Sequence, residues 1–404
     1  MVKKKYPQTE TPTQEGSIVM NIEKNLLALS LAVFAASPMI AQEHERSVPH
    51  LDHAFVIVME NHHYSQIIGN PNAPFINSYA VSANLAKNYF AVGHPSLTNY
   101  LEIVGGSNFG VINDDSPDWH NASCLSNIEL GMAADESATT DVCPIAGHGL
   151  DAATPAVDTT NEGTPTEPIY NDPLAPVQTV GMSIGDQLTA AGLSWKSYQE
   201  NLPPYGGDGV NNSDGLISNL TQAEPGMPKL YAVKHNPFVY FASVQQGNDP
   251  QNSLKNVVSF DKLYADLASG HLPNLAFIVP NQCHDQHGRG SGEMGTGCSV
   301  DQNDIAQGDA ALNTLVTAIK ASKDWKIGHN VIVVVWDEND YSSLSNQVVT
   351  IVDTSYARTG ISSNVKYNHF SLLKTLEAGF GLRYLNHAAD GNVRLMSDLF
   401  GSRD

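Results

Sequence analysis

The chain has 404 residues, of which 41% are hydrophobic, and a formal net charge of −21. This length and hydrophobic content allow a large domain with a substantial core, and a charged fraction of only 16% argues against a coiled or disordered chain. A body this acidic repels nucleic-acid phosphates and anionic lipid surfaces, so we expect no nucleic-acid partner. Local positive potential would then come from a metal ion instead of a basic patch.

The first 41 residues are typical of a signal peptide. Residues 26–40 form an apolar run that ends in small residues before Ala41 and is too short to span a bilayer comfortably. Met20 lies just upstream, so the true start of translation is either Met1 or Met20. A membrane anchor is the alternative interpretation of this segment. We expect a secreted or periplasmic protein without stable membrane insertion.

Four short apolar runs, rich in β-branched residues, predict strands that are covered on both faces. Each run ends abruptly in polar residues. The predicted strands are residues 53–59, 275–280, 331–336 and 348–352, and the predicted helices are residues 99–104, 183–191, 310–322 and 371–380. The pattern indicates an α/β fold with a central parallel or mixed sheet.

Two stretches have the composition of loops. Residues 133–181 are rich in Ala, Thr, Asp and Pro, and residues 202–229 are rich in Gly, Asn and Pro. Neither stretch has helical or strand periodicity. We therefore expect them to be insertions in one domain that spans residues 42–404.

Polar clusters follow three of the predicted strands. Glu60 and Asn61 follow the first strand, and Asp337 and Glu338 follow the third. A third cluster, which includes Asp285, follows the second strand. Ligands bind beyond the carboxyl ends of the strands in open α/β sheets, so we expect the clusters to converge. The alternative is that each acidic pair is a solvated turn.

Ser96 lies where a short helix is expected to begin. It follows Pro95 and precedes an apolar run that ends at Gly105 and Gly106. The free N–H groups and the dipole of a helix N-terminus favour an anion, which suits a phosphate site. The alternative is an ordinary N-cap serine, which is the commonest reason for a serine at such a position.

Seven blocks of the sequence together span nearly all of residues 51–400. The blocks are HAFVIVMEN (53–61), GHPSLTNY (93–100), SWKSYQENLP (194–203), HNPFVYF (235–241), FIVPNQCHDQH (277–287), VVWDE (334–338) and NHFSLLKTLE (368–377). In residues and in order, they resemble the acid phosphatase and phospholipase C-like phosphoesterase family. The resemblance implies an alkaline-phosphatase-like fold: a central mixed, mostly parallel sheet with helices on both faces.

The resemblance also implies a role for each matching residue. Ser96 is expected to be the nucleophile that becomes a phosphoserine, activated by one divalent metal ion. Oxygen ligands favour Mg²⁺, Ca²⁺ or Mn²⁺, with Zn²⁺ or Fe as alternatives. The expected metal ligands are Glu60, Asn61, Ser96, Asp337 and Glu338. The expected phosphate-pocket residues are Asn99, Asp285, His287 and His369, with His94, His235 and His284 as weaker matches.

Several of these side chains have structural alternatives. His369 opens a helical run, so it could simply cap or pack, and the Trp195, Tyr198 and Glu200 block is more typical of packing than of catalysis. The four cysteines of an exported chain suggest disulfides. Sequential pairing, Cys124–Cys143 and Cys283–Cys298, is preferred among three connectivities.

These observations predict hydrolysis of small phosphomonoesters at acidic pH. The alternative is a phospholipase C-type phosphodiesterase, which the same core can support, although the predicted loops are mostly small and polar. A non-catalytic surface binding protein would have lost at least one residue of the core set, and none is missing. The sequence leaves the oligomeric state open.

Overall fold

The structure is a computed structural model that describes residues 48–109, 114, 181–202, 230–288 and 303–401. The predicted signal peptide lies outside the described residues. So do both predicted insertions, except for Gly181 and Leu202 at their edges. Cys124, Cys143 and Cys298 also lie outside, so the disulfide pairing stays a prediction. In the described part of the chain, no helix is long and apolar enough to cross a membrane.

Eight strands form one mixed sheet. In chain order they are β1 (His53–Met59), β2 (Asn84–Phe90), β3 (Trp195–Gln199), β4 (Val257–Ser259), β5 (Leu275–Val279), β6 (Asn330–Trp336), β7 (Thr350–Thr354) and β8 (Ser362–Asn368). Their spatial order is β4-β3-β5-β1-β6-β7-β2-β8. β7 runs antiparallel to both of its neighbours, and every other pairing is parallel.

The central strands are the ones that the sequence predicts. β1 matches the predicted range at both ends, β5 and β6 differ by a single residue at one end, and β7 is shifted by two residues. All residues of β5 and β6 are buried, as expected for strands covered on both faces. The predicted mixed, mostly parallel α/β fold is confirmed.

Nine helices pack around this sheet in the described residues. They are α1 (Tyr64–Ile67), α2 (Pro74–Ser82), α3 (Ser96–Gly105), α4 (Ile184–Ala190), α5 (Ala242–Gln246), α6 (Phe260–Ser269), α7 (Asp304–Ala321), α8 (His369–Phe380) and α9 (Ser397–Phe400). They include all four predicted helices. α3 contacts α4 and α8, whereas α7 contacts α2 and α6, so the helices form two groups. One continuous hydrophobic core joins both groups to the sheet.

Candidate active site

Three adjacent strands at the centre of the sheet end at the same edge. β1 lies between β5 and β6 in parallel, and Met59 pairs with Trp336 at the strand ends. The backbone pairing continues one step further: Glu60 N donates to the Asp285 carbonyl at 2.8 Å, and Asp337 N donates to the Met59 carbonyl at 2.9 Å. The three polar clusters therefore converge, as the sequence predicts.

Ser96 approaches this edge from helix α3. Pro95 occupies the N-cap position, and Ser96 is the first residue of the helix. The loop before it is fixed by Asn99, whose Oδ1 accepts hydrogen bonds from Val92 N at 3.1 Å and Gly93 N at 3.0 Å. Because Ser96 does not occupy the N-cap position, the N-cap interpretation is wrong.

The hydroxyl of Ser96 points into a group that we call the acidic centre: Glu60, Asn61, Ser96, Asp337 and Glu338. Ser96 Oγ donates to Glu60 Oε2 at 3.2 Å and to Glu338 Oε1 at 3.1 Å. Asn61 N donates to Asp337 Oδ1 at 3.2 Å. All five residues that the sequence predicts as metal ligands are thus brought together. Asn61 has a φ of 51°, a left-handed conformation that asparagine tolerates better than most residues.

The carboxylates of the acidic centre are buried and repel one another. Glu60 and Asp337 are completely inaccessible and Glu338 is 2% exposed, so the solvated-turn interpretation is wrong for these three carboxylates. Burial, followed by the charges of Glu60 and Glu338, holds the pKa of Asp337 well above its usual range. Burial also raises the pKa of Glu338, although the His94 imidazole opposes the shift.

Two observations fit a cation in this centre. Among the described residues, Asp337 Oδ2 is buried without a hydrogen-bond partner. The Asn61 amide can be turned so that its nitrogen donates to Glu338 Oε1 and the Asn339 carbonyl, both at 3.3 Å; otherwise its oxygen faces only acceptors. Oxygen atoms that face one another in a buried site are the expected surroundings of a hard divalent ion.

A second group lies against Glu60, and we call it the basic wall: Lys234, His235 and His287. His235 Nε2 lies 3.0 Å from Glu60 Oε1, and its Nδ1 lies 3.3 Å from Asp285 Oδ2. His287 Nε2 lies 3.3 Å from Lys234 Nζ. One ligand atom each from Glu60, His235 and His287 lie within 4.8 Å of one another, so these three residues form a candidate metal cluster that shares Glu60 with the predicted ligand set.

The basic wall compensates part of the negative charge. Burial lowers the pKa of His235, but the charge of Glu60 and hydrogen bonds to Asp285 and Glu60 outweigh it and raise the pKa to about 9. Burial raises the pKa of Glu60, but the charge of His235 and its hydrogen bond dominate and lower that pKa to about 2. His235 and Glu60 therefore form an ionised pair. Burial and then the neighbouring Lys234 lower the pKa of His287 to about 4.

His94 and His369 contact the two neighbouring acids Glu338 and Asp337, respectively. His94 Nδ1 lies 2.5 Å from Glu338 Oε2, and its ring stacks on Tyr341 with the ring centroids 4.0 Å apart. His369 contacts the carbonyl oxygen of Asp337 at 2.6 Å through Nε2 and the Tyr89 hydroxyl at 3.1 Å through Nδ1. Both nitrogens of His369 are engaged, which favours a role in positioning Asp337 over contact with phosphate.

Similarly, Asn99 acts mainly on the protein itself. Besides its bonds to the Gly93 loop, its Nδ2 donates to Glu338 Oε2 at 3.3 Å. Asp285 accepts His287 N through Oδ1 at 2.7 Å, and burial raises its pKa to about 6. The sequence assigns both residues to the phosphate pocket, and that role stays a prediction. In the structure Asn99 contacts Glu338 of the acidic centre, and Asp285 contacts His235 of the basic wall.

His284 departs from the prediction. Its Nδ1 lies 2.9 Å from both carboxylate oxygens of Glu200, on the wall of a cleft of about 490 Å³ between α6 and α7. Phe260 and Tyr264 line this cleft, and no residue of the acidic centre does. His284 precedes Asp285 in the chain, yet the two side chains make different contacts, so a phosphate-pocket role for His284 has no support in this geometry.

The SWKSYQENLP block has the packing role that its composition favours. Trp195 is buried and stacks on Phe238 with the ring centroids 4.4 Å apart. The Tyr198 hydroxyl donates to Asp266 at 2.8 Å, which ties β3 to α6. Tyr198 therefore does not border the acidic centre.

Sequence reasoning missed Lys234, Asp114 and Tyr100. Lys234 is 5% exposed, and its Nζ lies 3.1 Å from Asp114 Oδ2. Tyr100 stacks on His235 with an interplanar angle of 9°. Lys234 directly precedes the HNPFVYF block, so its position next to His235 was the available signal. No signal in the chain pointed to Asp114.

Comparison with known proteins identifies the family of this chain. Residues 70–383 match the sequence pattern of the Phosphoesterase family, so the chain belongs to that family and is a phosphoric ester hydrolase by class. It is 27% identical to a phosphatidylinositol-3-phosphatase of Mycobacterium tuberculosis over 356 residues, which cover 88% of this chain and 85% of that protein. It is also 24% identical to an acid phosphatase of Aspergillus fumigatus over 365 residues, 89% of this chain but only 61% of the fungal protein.

Among solved structures, a protein of the alkaline phosphatase superfamily from Vibrio parahaemolyticus aligns with a TM-score of 0.45. Sequence identity in that alignment is 10%, and it covers 86% of this chain and 71% of the other.

Proposed function

We propose that this protein is a secreted or periplasmic, metal-dependent acid phosphatase that hydrolyses small phosphomonoesters through a phosphoserine at Ser96. The observation that carries the proposal is the position of Ser96 Oγ, which lies between carboxylate oxygens of Glu60 and Glu338 at 3.2 and 3.1 Å. The sequential disulfides and the cleaved signal peptide belong to the same proposal.

The side chains support a two-step displacement. As Ser96 Oγ forms a bond to phosphorus, its proton passes to a carboxylate that it already contacts. The bond from phosphorus to the substrate oxygen breaks, and that oxygen takes up this proton and leaves as the alcohol. Water then attacks phosphorus, the bond from phosphorus to Ser96 Oγ breaks, and the proton that water gives up restores the serine hydroxyl as phosphate leaves. His235 Nε2, which lies 3.0 Å from Glu60 Oε1, would hold that carboxylate in place beside the nucleophile.

One divalent ion, held by Glu60, Asn61, Asp337 and Glu338 together with Ser96, would lower the pKa of the serine hydroxyl and offset charge on a phosphoryl oxygen. The buried, unpartnered Asp337 Oδ2 supports such an ion. The oxygen-rich ligand set favours Mg²⁺, Ca²⁺ or Mn²⁺ over Zn²⁺ or Fe.

The proposal is tested by substitution of Ser96. Ser96→Ala should lower kcat for p-nitrophenyl phosphate by at least about a thousandfold and remove the phosphoserine from acid-quenched protein in a mass spectrum. Ser107→Ala is the matched control, because Ser107 is also buried but its Oγ accepts a hydrogen bond from Phe109 N. Turnover that survives in Ser96→Ala would refute the nucleophile.

The choice between monoesterase and diesterase needs a substrate comparison. Related proteins named acid phosphatase and phosphatidylinositol-3-phosphatase favour monoesters. We expect a higher kcat/KM for p-nitrophenyl phosphate than for bis-p-nitrophenyl phosphate or phosphatidylcholine. Preference for either diester would favour the phospholipase C-type alternative.

A further inference from the structure

Lys234 is a buried cation for which the proposed reaction has so far no use. Its side chain is only 6% exposed. The lysines of two other ion pairs with buried aspartates, Lys196 and Lys320, remain 25% and 45% exposed. The transfer of an ammonium group out of water is unfavourable unless the charge is well compensated, so the burial of Lys234 beside an active site needs a reason.

The partner of Lys234 also contacts the nucleophile helix. Asp114 Oδ2 lies 3.1 Å from Lys234 Nζ, and Asp114 Oδ1 accepts a hydrogen bond from Leu97 N at 3.1 Å. Leu97 follows Ser96 directly, and the N–H groups in the first turn of a helix have no partner within the helix. One carboxylate thus joins the ammonium group to the backbone amide next to the nucleophile.

This arrangement resembles the way in which proteins bind an oxyanion. Two oxygens of a single anionic group accept from a charged side chain and from a helix N-terminus, which is a favourable pair of donors for phosphate. The donors belong to the active site, since Lys234 is part of the basic wall and lies 3.3 Å from His287 Nε2.

We propose that Lys234 Nζ and Leu97 N bind two oxygens of the substrate's phosphoryl group, at the position that the Asp114 carboxylate occupies in this structure. The proposal rests on the function proposed above. Lys234 is then a substrate-binding residue, and Asp114 is an internal competitor whose charge must give way to the substrate. The two residues of one ion pair should consequently have opposite effects on phosphate affinity.

The opposite effects expected for Lys234 and Asp114 can be measured as changes in phosphate affinity. Lys234→Gln should weaken the binding of inorganic phosphate by about tenfold or more, whereas Asp114→Asn should tighten it by about tenfold. Binding is measured by calorimetry on the full-length protein saturated with divalent ion. Lys320→Gln, which also breaks a lysine–aspartate pair but lies away from the acidic centre, should leave the dissociation constant unchanged.

Melting temperatures distinguish a binding role from a structural one. If the pair only stabilises the fold, both substitutions lower the melting temperature, and phosphate affinity stays constant or falls in both; either result overturns the proposal. If Lys234→Gln does not fold, Lys234→Arg and Asp114→Asn decide, because arginine keeps the charge and should retain most of the affinity. Turnover that survives in Ser96→Ala refutes the proposed function separately, and wild-type protein that binds no phosphate refutes both.

Discussion

Replacement of Asp337 by asparagine should stabilise the metal-free protein while it abolishes the response to metal. Asp337 is buried, and its Oδ2 has no hydrogen-bond partner in the described chain, whereas Oδ1 accepts a bond from Asn61 N that asparagine can still accept. The substitution therefore removes a charge with little loss of packing.

The magnitude follows from the spacing of the acids. Glu60 and Glu338 contact the same serine oxygen at 3.2 and 3.1 Å, so those two carboxylate oxygens are at most about 6 Å apart. Two unit charges at about 6 Å repel by about 3 kcal/mol at an effective dielectric constant of about 20. Burial and these neighbouring charges hold the pKa of Asp337 well above its usual range, so the metal-free fold opposes the ionised form that the unfolded chain adopts at neutral pH. Asparagine removes this cost and should raise the free energy of unfolding by about 1–3 kcal/mol.

Denaturant unfolding with and without a chelator measures this effect. In chelator, Asp337→Asn should unfold at a higher denaturant concentration than the wild type, whereas added divalent ion should stabilise only the wild type, by about 3 kcal/mol at a hundredfold excess over Kd. Asp353→Asn is the control, because Asp353 is also buried but contacts Lys320 Nζ at 2.7 Å and the Tyr79 hydroxyl at 3.1 Å. Equal destabilisation by both substitutions in chelator would contradict the reasoning.

Three further predictions concern residues outside the acidic centre. Burial raises the pKa of Glu377 to about 9 in the fold, whereas in the unfolded chain this carboxyl ionises near pH 4.5. The fold therefore loses stability as pH rises between these two values, and Glu377→Gln should exceed the wild type in unfolding free energy at pH 8 and equal it at pH 4. Tyr198→Phe should cost about 1 kcal/mol of stability through the lost bond to Asp266, and an altered kcat would show that Tyr198 reaches the substrate after all. A Cβ at Gly308 would overlap Gln286 Cγ, so Gly308→Ala should displace the turn that carries His287 and lower kcat/KM about tenfold, and unchanged kinetics would rule that out.

The sequence predicts the centre of the sheet better than its flanks. β1, β5 and β6 are continuous apolar runs, and such a run predicts a strand from its own residues, without knowledge of the neighbouring strands. β3 was missed because one of its faces carries Lys196 and Tyr198, which interrupt the apolar pattern and whose polar ends both contact Asp266 from helix α6. β8 was missed because it is a partly exposed edge strand with polar residues on both faces.

The same limit applies to the site. The sequence predicts the positions of Glu60, Asp337 and Ser96 because the first two follow predicted strands and the third begins a predicted helix. The position of Lys234 depends on its contact with Asp114, which is 120 residues away in the chain. No local sequence pattern predicts such a long-range contact. Residue roles in catalysis and metal binding stay predictions, whereas the family and the fold class are confirmed.

The loop that follows β6 joins the two halves of the site. Asn346 Oδ1 accepts a hydrogen bond from Asn339 N at 2.8 Å, and Asn346 Nδ2 donates at 2.9 Å to the Gly93 carbonyl in the segment before Ser96. A local opening of this loop would release both the segment before Ser96 and the Asp337–Glu338 pair in one step. The backbone amides of the two segments should therefore exchange hydrogen with the same opening free energy. Conformations in which only one of the two segments is in place would then be rarely populated, because the site opens and closes as a cooperative unit.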